Sequence, residues 1–83
     1  MLEQLEKTYQ EALTALGEAG DEDSLLQWRA AYLGKKSPLM EVFTQMRDLS
    51  KEERPLVGQR ANQVRQALEA AMEEQRAALK QQA

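Results

Sequence analysis

The chain contains no cysteine and no histidine. Without thiols there is no disulfide staple and no thiolate nucleophile. Without imidazole the usual zinc ligand and the usual general acid–base group are also missing. Aromatic residues are 5% of the sequence, and there are two prolines and four glycines, so breakers are few and their positions carry information. Period-two alternation and β-branched runs are scarce, and no strand is expected. No apolar run approaches the roughly 20 residues of a membrane span. The N-terminus lacks the basic-then-apolar pattern of a secretory signal. These absences lead to the expectation of one small, soluble, cytoplasmic domain over residues 1–83 with no membrane partner. At 83 residues a core is marginal, and a helical hairpin of this length gains stability from a partner or a larger parent.

What is present is mostly alanine, leucine, glutamine, glutamate, lysine and arginine, all good helix formers. A three-four spacing from the start visits Leu2, Leu5, Tyr9, Ala12, Leu16, Ala19, Asp23, Leu26, Ala30 and Leu33, and only Asp23 is polar. Gly17, Gly20 and the capping residues Asp21, Asp23 and Ser24 must break or bend the helix at about 17–24. Because the register survives the break, the spacing favours two helices roughly in line, forming a first arm over about 2–33, over a fold-back, and the sequence alone leaves both paths open. Ser37 followed by Pro38 starts a short helix to about Asp48, with Leu39, Met40, Val42, Phe43, Met46 and Leu49 as its apolar face. Ser50-Lys51-Glu52-Glu53 reads as a capping box. Pro55 allows a kink or a later start to the helix that follows. That long helix extends to about Gln82. Its stripe is Val57, Ala61, Val64, Leu68, Met72 and Leu79, interrupted by Gln75.

Length then sets the architecture. Residues 2–33 as helix span about 48 Å and residues 50–82 about 50 Å, at 1.5 Å per residue. The fold class is therefore all-α: an antiparallel helical hairpin or coiled-coil arm, with residues 34–49 as a tip carrying a short helix. Two helices with one stripe each would leave Leu13, Leu25, Leu56 and Met72 poorly covered, which predicts self-association of the isolated chain.

The net charge of −3 conceals an asymmetry. Met1 to Trp28 carries one cation and seven anions, Arg29 to Arg65 eight cations and four anions, and Gln66 to Ala83 two cations and three anions. The middle third alone is basic enough to read as a nucleic-acid surface. Within it, Tyr32-Leu33-Gly34-Lys35-Lys36 ends an amphipathic segment. Gly34 there suits a turn through positive φ, and the lysines complement the helix dipole. Taken alone, the pentapeptide is equally a capped helix end.

Tyr32-Leu33-Gly34-Lys35-Lys36, then a short apolar helix, then Glu52-Glu53-Arg54-Pro55, Gly58 and Asn62 on a long alanine- and glutamate-rich helix, resembles the N-terminal domain of bacterial phenylalanyl-tRNA synthetase alpha subunits. The resemblance covers essentially the whole chain. One departure is Ser37, where the family usually has glycine. The resemblance implies an arm that reaches tRNA. The parent would be an α2β2 cytoplasmic ligase, with alpha and beta subunits, that uses ATP and magnesium to charge the phenylalanine tRNA. It places the class II catalytic motifs beyond this segment, which would itself carry no cofactor and no active site.

On that reading Lys35, Lys36, Arg47, Lys51 and Arg54 are the principal tRNA contacts, and Arg29, Arg60 and Arg65 secondary ones. Lysine and arginine neutralise phosphates and release counterions, giving affinity without sequence readout. Arg65 also has a helical neighbour of opposite sign in Glu69. Trp28 and Tyr32, four residues apart, are expected to pack where the hairpin meets the third helix rather than to stack on bases. The carboxylate pairs Glu52-Glu53 and Glu73-Glu74 diverge by about 100° around a helix and do not converge on a substrate. With no nucleophile–base pair and no glycine-rich phosphate loop, catalysis by this chain is not expected. A structural or protein-interaction coiled coil is the alternative. Scattered charge would favour it; the observed segregation of charge favours nucleic acid.

Overall fold

A computed structural model describes residues 2–82. Four α-helices follow one another: α1 (Leu2–Glu18), α2 (Glu22–Leu33), α3 (Pro38–Gln45) and α4 (Glu53–Gln82), with a 3₁₀ turn over Met46–Asp48 between α3 and α4. There is no strand among the described residues. Three N-terminal caps foreseen in the sequence are in place, the Ser50–Glu53 box only by its serine half. Ser37 Oγ accepts from the Met40 amide at 3.3 Å with Pro38 in the first turn, and Asp21 caps α2 by accepting from the Ser24 amide at 2.7 Å. Ser50 Oγ accepts from the Glu53 amide at 3.2 Å. The Arg54 amide already makes a helical bond to the Ser50 carbonyl at 3.0 Å, and Pro55, with no N–H, cannot make the next one to Lys51, so the regular helix starts later, at Glu53.

The path of the chain differs from the expected one at the 17–24 break. α1 does not continue into α2; the chain reverses. The Trp28 indole N–H donates to the carbonyl of Ala12 at 2.8 Å, which requires α2 to lie back against α1. α1 in turn runs parallel to α4. Leu2 and Glu3 share a surface groove with Glu53, Leu56 and Val57, Glu6 pairs with Arg60, and the Ala19 carbonyl accepts from the Gln75 amide at 2.9 Å. α2 runs the other way: Glu22, Leu25, Leu26 and Arg29 line a groove with Met72 and Arg76. α3 continues in that direction and brings Met46 against Gly58.

The antiparallel hairpin thus exists, but its first arm is α2 followed by α3, and its true tip is the Leu49–Glu52 turn before α4. The expected arm over 2–33 and the expected tip over 34–49 are corrected accordingly. The molecule measures 49 × 18 × 16 Å, and its long axis is accounted for by α4 alone, about 45 Å for 30 residues.

The fold-back has a visible cause in the apolar faces. On α2 the buried residues are Leu25 and Trp28, while Leu26, on the seam extrapolated from α1, is 64% exposed. The three-four count carried across the break therefore picked the wrong face. On α4 the stripe holds: Val57, Ala61, Val64, Leu68 and Met72 are all buried, and they meet Leu5, Ala12 and Leu16 of α1 and Leu39 and Val42 of α3 in one core. Gln75, which interrupts the stripe, satisfies a carbonyl just past the end of α1, one of those that helix geometry leaves without a partner. Of the four residues expected to be poorly covered, Leu25 and Met72 are buried, Leu13 is half-buried, and Leu56 is 61% exposed.

Candidate nucleic-acid interface

The α2–α3 junction is built around Gly34. Its φ of −78° is not the left-handed conformation expected of a glycine after a helix. The glycine is needed for a steric reason: a Cβ there would lie 2.4 Å from the Ala30 carbonyl oxygen. The Ser37 amide donates back to the Gly34 carbonyl at 3.1 Å, and Ser37 itself is buried while capping α3. This tight turn pushes Lys35 and Lys36 outward, and both are exposed. They do not lie at the end of the hairpin. Counted along the antiparallel register of α2 against α4, they come level with Arg65, well inside the length of α4. Arg65 is exposed, and its helical neighbour Glu69 makes no ion pair with it.

The end of the hairpin holds Arg47, Lys51 and Arg54. All three residues are exposed, but the Arg54 guanidinium is committed. Its Nε–H donates to the Met46 carbonyl at 3.2 Å, and Nη2 donates to the carbonyls of Arg47 and Leu49, each at 3.2 Å. Lys51 and Arg54 line a shallow depression with Met46, Pro55, Gly58 and Gln59.

Arg60 is committed as well. It meets Glu6 of α1 with two parallel N–H···O bonds, one from Nε to Oε1 and one from Nη2 to Oε2 at 2.9 Å, and its guanidinium lies 5.5 Å from the centre of the Tyr9 ring. The Arg60 hydrogen bond holds the Glu6 carboxyl below the usual carboxylate range, and the same bond raises Arg60. This is the one ion pair among the described residues, and it fastens α1 alongside α4. Arg29, about one turn before the end of α2, is exposed beside Leu26 and Arg76.

The eight cations singled out from the sequence therefore divide. Arg47, Lys51 and Arg54 come together at the tip, and Lys35 and Lys36 share a level with Arg65. Arg29 stands apart, and Arg60 is bound to Glu6. Sequence reading missed Arg76, because the count of the basic third stopped at Arg65. It also missed the fork made by Arg54, for which the only signal was an arginine one turn after a capping serine. Trp28 and Tyr32 do pack, with ring centres 5.7 Å apart, but Trp28 is docked on α1 rather than at the third helix. Among the described residues no cluster of three or more His, Cys, Asp or Glu could hold a metal ion, and no helix is long and apolar enough to cross a membrane.

Residues 20–83 match the family described as the N-terminal domain of class II aminoacyl-tRNA synthetases. The chain is 46% identical over 81 residues to the phenylalanine–tRNA ligase alpha subunit of Anoxybacillus flavithermus, an alignment covering 98% of the chain and 24% of that protein. It is 53% identical over 68 residues to the corresponding subunit of Listeria monocytogenes, covering 82% of the chain and 19% of the relative. With that of Limosilactobacillus reuteri it is 47% identical over 79 residues, covering 95% and 23%. The chain thus spans about a quarter or less of the length of these relatives. No solved structure matches it. The turn at Gly34, the capped short helix and the long α4 all fall within the matched residues, and the chain belongs to the class II aminoacyl-tRNA synthetase N-terminal domains, as the N-terminal domain of a phenylalanine–tRNA ligase alpha subunit.

Proposed function

We propose that this domain is a tRNA-binding arm. It would serve a cytoplasmic phenylalanine–tRNA ligase in which alpha and beta subunits form an α2β2 assembly. ATP, magnesium and phenylalanine would be handled by other parts of that enzyme, since the residues here include no triphosphate cradle. The observation that carries the reading is the concentration of cations over Arg29–Arg65, apart from the acidic α1. Helix α1 bears Glu3, Glu6, Glu11 and Glu18 against the single cation Lys7. The exposed cations Arg29, Lys35, Lys36, Arg47, Lys51 and Arg65 belong to the α2–α3–α4 hairpin, and none of the six is ion-paired among the described residues. Over Arg29–Arg65 the hairpin carries eight cations against four anions, whereas its other end holds Glu22, Asp23, Glu69, Glu73 and Glu74, so a polyanion is drawn to that stretch and repelled by α1 and the acidic end. Long, flexible cations serve phosphate neutralisation without demanding a particular base.

The test is titration of the chain with tRNA by filter binding at two salt concentrations. About five phosphate contacts would lower affinity on the order of a hundredfold between 50 and 200 mM salt. In the full-length enzyme, Lys35→Ala with Lys36→Ala should weaken the dependence of charging on tRNA while leaving phenylalanine-dependent pyrophosphate exchange intact. If the tRNA dependence is unchanged, the two lysines are only a helix end. If the chain shows no salt-sensitive affinity for tRNA at all, the alternative of a protein-interaction module stands, with exposed Leu2, Leu26 and Leu56 as the surface to test.

A further inference from the structure

The carbonyls of Met46, Arg47 and Leu49 lie where α3 and its 3₁₀ turn end, so few helical N–H groups follow to satisfy them. One side chain meets all three: the Arg54 fork reaches back five to eight residues to do so. The main chain closes the same loop from the other side, with the Arg54 amide donating to the Ser50 carbonyl at 3.0 Å and the Leu49 amide to the Met46 carbonyl at 3.2 Å. A guanidinium suits this place twice over. Its planar donors can serve several acceptors at once, and its charge sits at the negative end of a helix. Beneath it, Gly58 leaves room for Met46, whose Cε would lie 2.9 Å from a Cβ at position 58.

A residue this committed is poorly placed to be a principal phosphate ligand, yet it lies beside the two tip cations whose side chains are uncommitted. Arg47 provides one of the clasped carbonyls, and Lys51 lines the depression next to the Arg54 side chain. We propose that Arg54 is a positioning residue: its fork locks the Met46–Lys51 turn so that Arg47 and Lys51 are presented together to the phosphates of the bound RNA. This rests on the tRNA-arm reading for its second half, but the clasp itself is independent of any RNA. Lysine at position 54 would keep the charge but lose the fork, so charge and geometry can be separated.

The experiment compares the chain with its Arg54→Lys and Arg54→Ala variants. Without RNA, NMR should show the Arg54 Nε–H of the unsubstituted chain exchanging slowly with solvent, and faster amide exchange at Leu49 in both variants. Trp28 fluorescence, from the far half of the molecule, should be unchanged, showing that the bundle is intact. With tRNA, both variants should bind about tenfold more weakly, Arg54→Lys no better than Arg54→Ala. In addition, Lys51→Ala should cost less affinity in the Arg54→Ala background than alone. Wild-type affinity in Arg54→Lys would overturn the proposal, because charge alone would then suffice. So would an unprotected Arg54 Nε–H, which would mean that the clasp does not exist in solution. A protected Nε–H in a chain with no affinity for tRNA would confirm the clasp but overturn the phosphate role of Arg47 and Lys51 together with the tRNA reading. If Arg54→Ala does not fold, Arg54→Lys and the exchange measurement decide the matter.

Discussion

Replacing Trp28 tests the feature that organises the whole bundle, the docking of α2 against α1. Trp28 is 4% exposed, and its indole N–H makes the one side-chain hydrogen bond between these two helices among the described residues. In Trp28→Phe the hydrogen bond is lost, worth about 1 kcal/mol, together with part of the ring volume. The Ala12 carbonyl keeps its helical partner and is not orphaned, so the total should be about 2 kcal/mol. For a domain of this size that lowers Tm by ~8–16 °C. Trp28→Ala should cost ~3–5 kcal/mol, against a total stability of ~4–12 kcal/mol for 83 residues. The second variant should therefore be largely unfolded or have α2 detached.

Urea denaturation followed by circular dichroism measures the loss, and a distance measurement checks the cause. With no native cysteine, spin labels can be placed at introduced cysteines replacing Glu11 and Gln27, both exposed. Helices in line would set these sites about 24 Å apart. Helices folded back bring their axes to ~8–10 Å. A long distance in the otherwise unsubstituted chain, or a Trp28→Ala variant as stable as its parent, would refute the fold-back. Overall length would not discriminate, because α4 alone sets it in either arrangement.

Gly34→Ala should lower stability by about 1–3 kcal/mol, since its Cβ would press on the Ala30 backbone oxygen and neither can move without disturbing α2. Gly17→Ala meets no atom within 4 Å and sits inside α1, so it should be neutral or stabilising by up to ~1 kcal/mol. Paired thermal melts check both, and equal Tm changes would refute the steric account. The depressed Glu6 and Asp21 carboxyls predict an acid-side loss of stability. Their contribution is complete above the ordinary carboxylate range of about pH 4 and is lost as pH falls through their lowered folded values. Glu6→Gln should be less stable at pH 7 and flatter between about pH 5 and 2, which denaturation at several pH values measures; an unchanged slope would remove Glu6 from the account.

The local elements were legible before any tertiary information. Ser37-Pro38, Ser50 with Glu53, and Asp21 announce helix starts because their short polar side chains, or the fixed φ of proline, satisfy requirements of the first turn. The α4 stripe from Val57 to Met72 is legible for a similar reason, as a helix must bury one face and its spacing shows which. The same reasoning failed at Ala19–Asp21. A three-residue linker can continue a helix axis or reverse it at similar local cost, and periodicity on either side does not record the direction. Leu25 with Trp28, and Leu26 with Ala30, are both reasonable faces for α2 in isolation. The choice between them was made by the Ala12 carbonyl that receives the Trp28 indole, sixteen residues away.

The candidate interface divides along the same line. The sequence by itself determined which side chains are cationic and that they cluster between Arg29 and Arg65, because charge is a property of residue type. Only the tertiary structure decided which of them remain available. It turned Arg60 onto Glu6 and Arg54 onto three carbonyls while leaving Lys35, Lys36, Arg47 and Lys51 at the surface. Availability depends on what lies within hydrogen-bond reach across 54 residues in one case and eight in the other, and reach of that kind is set by how helices pack.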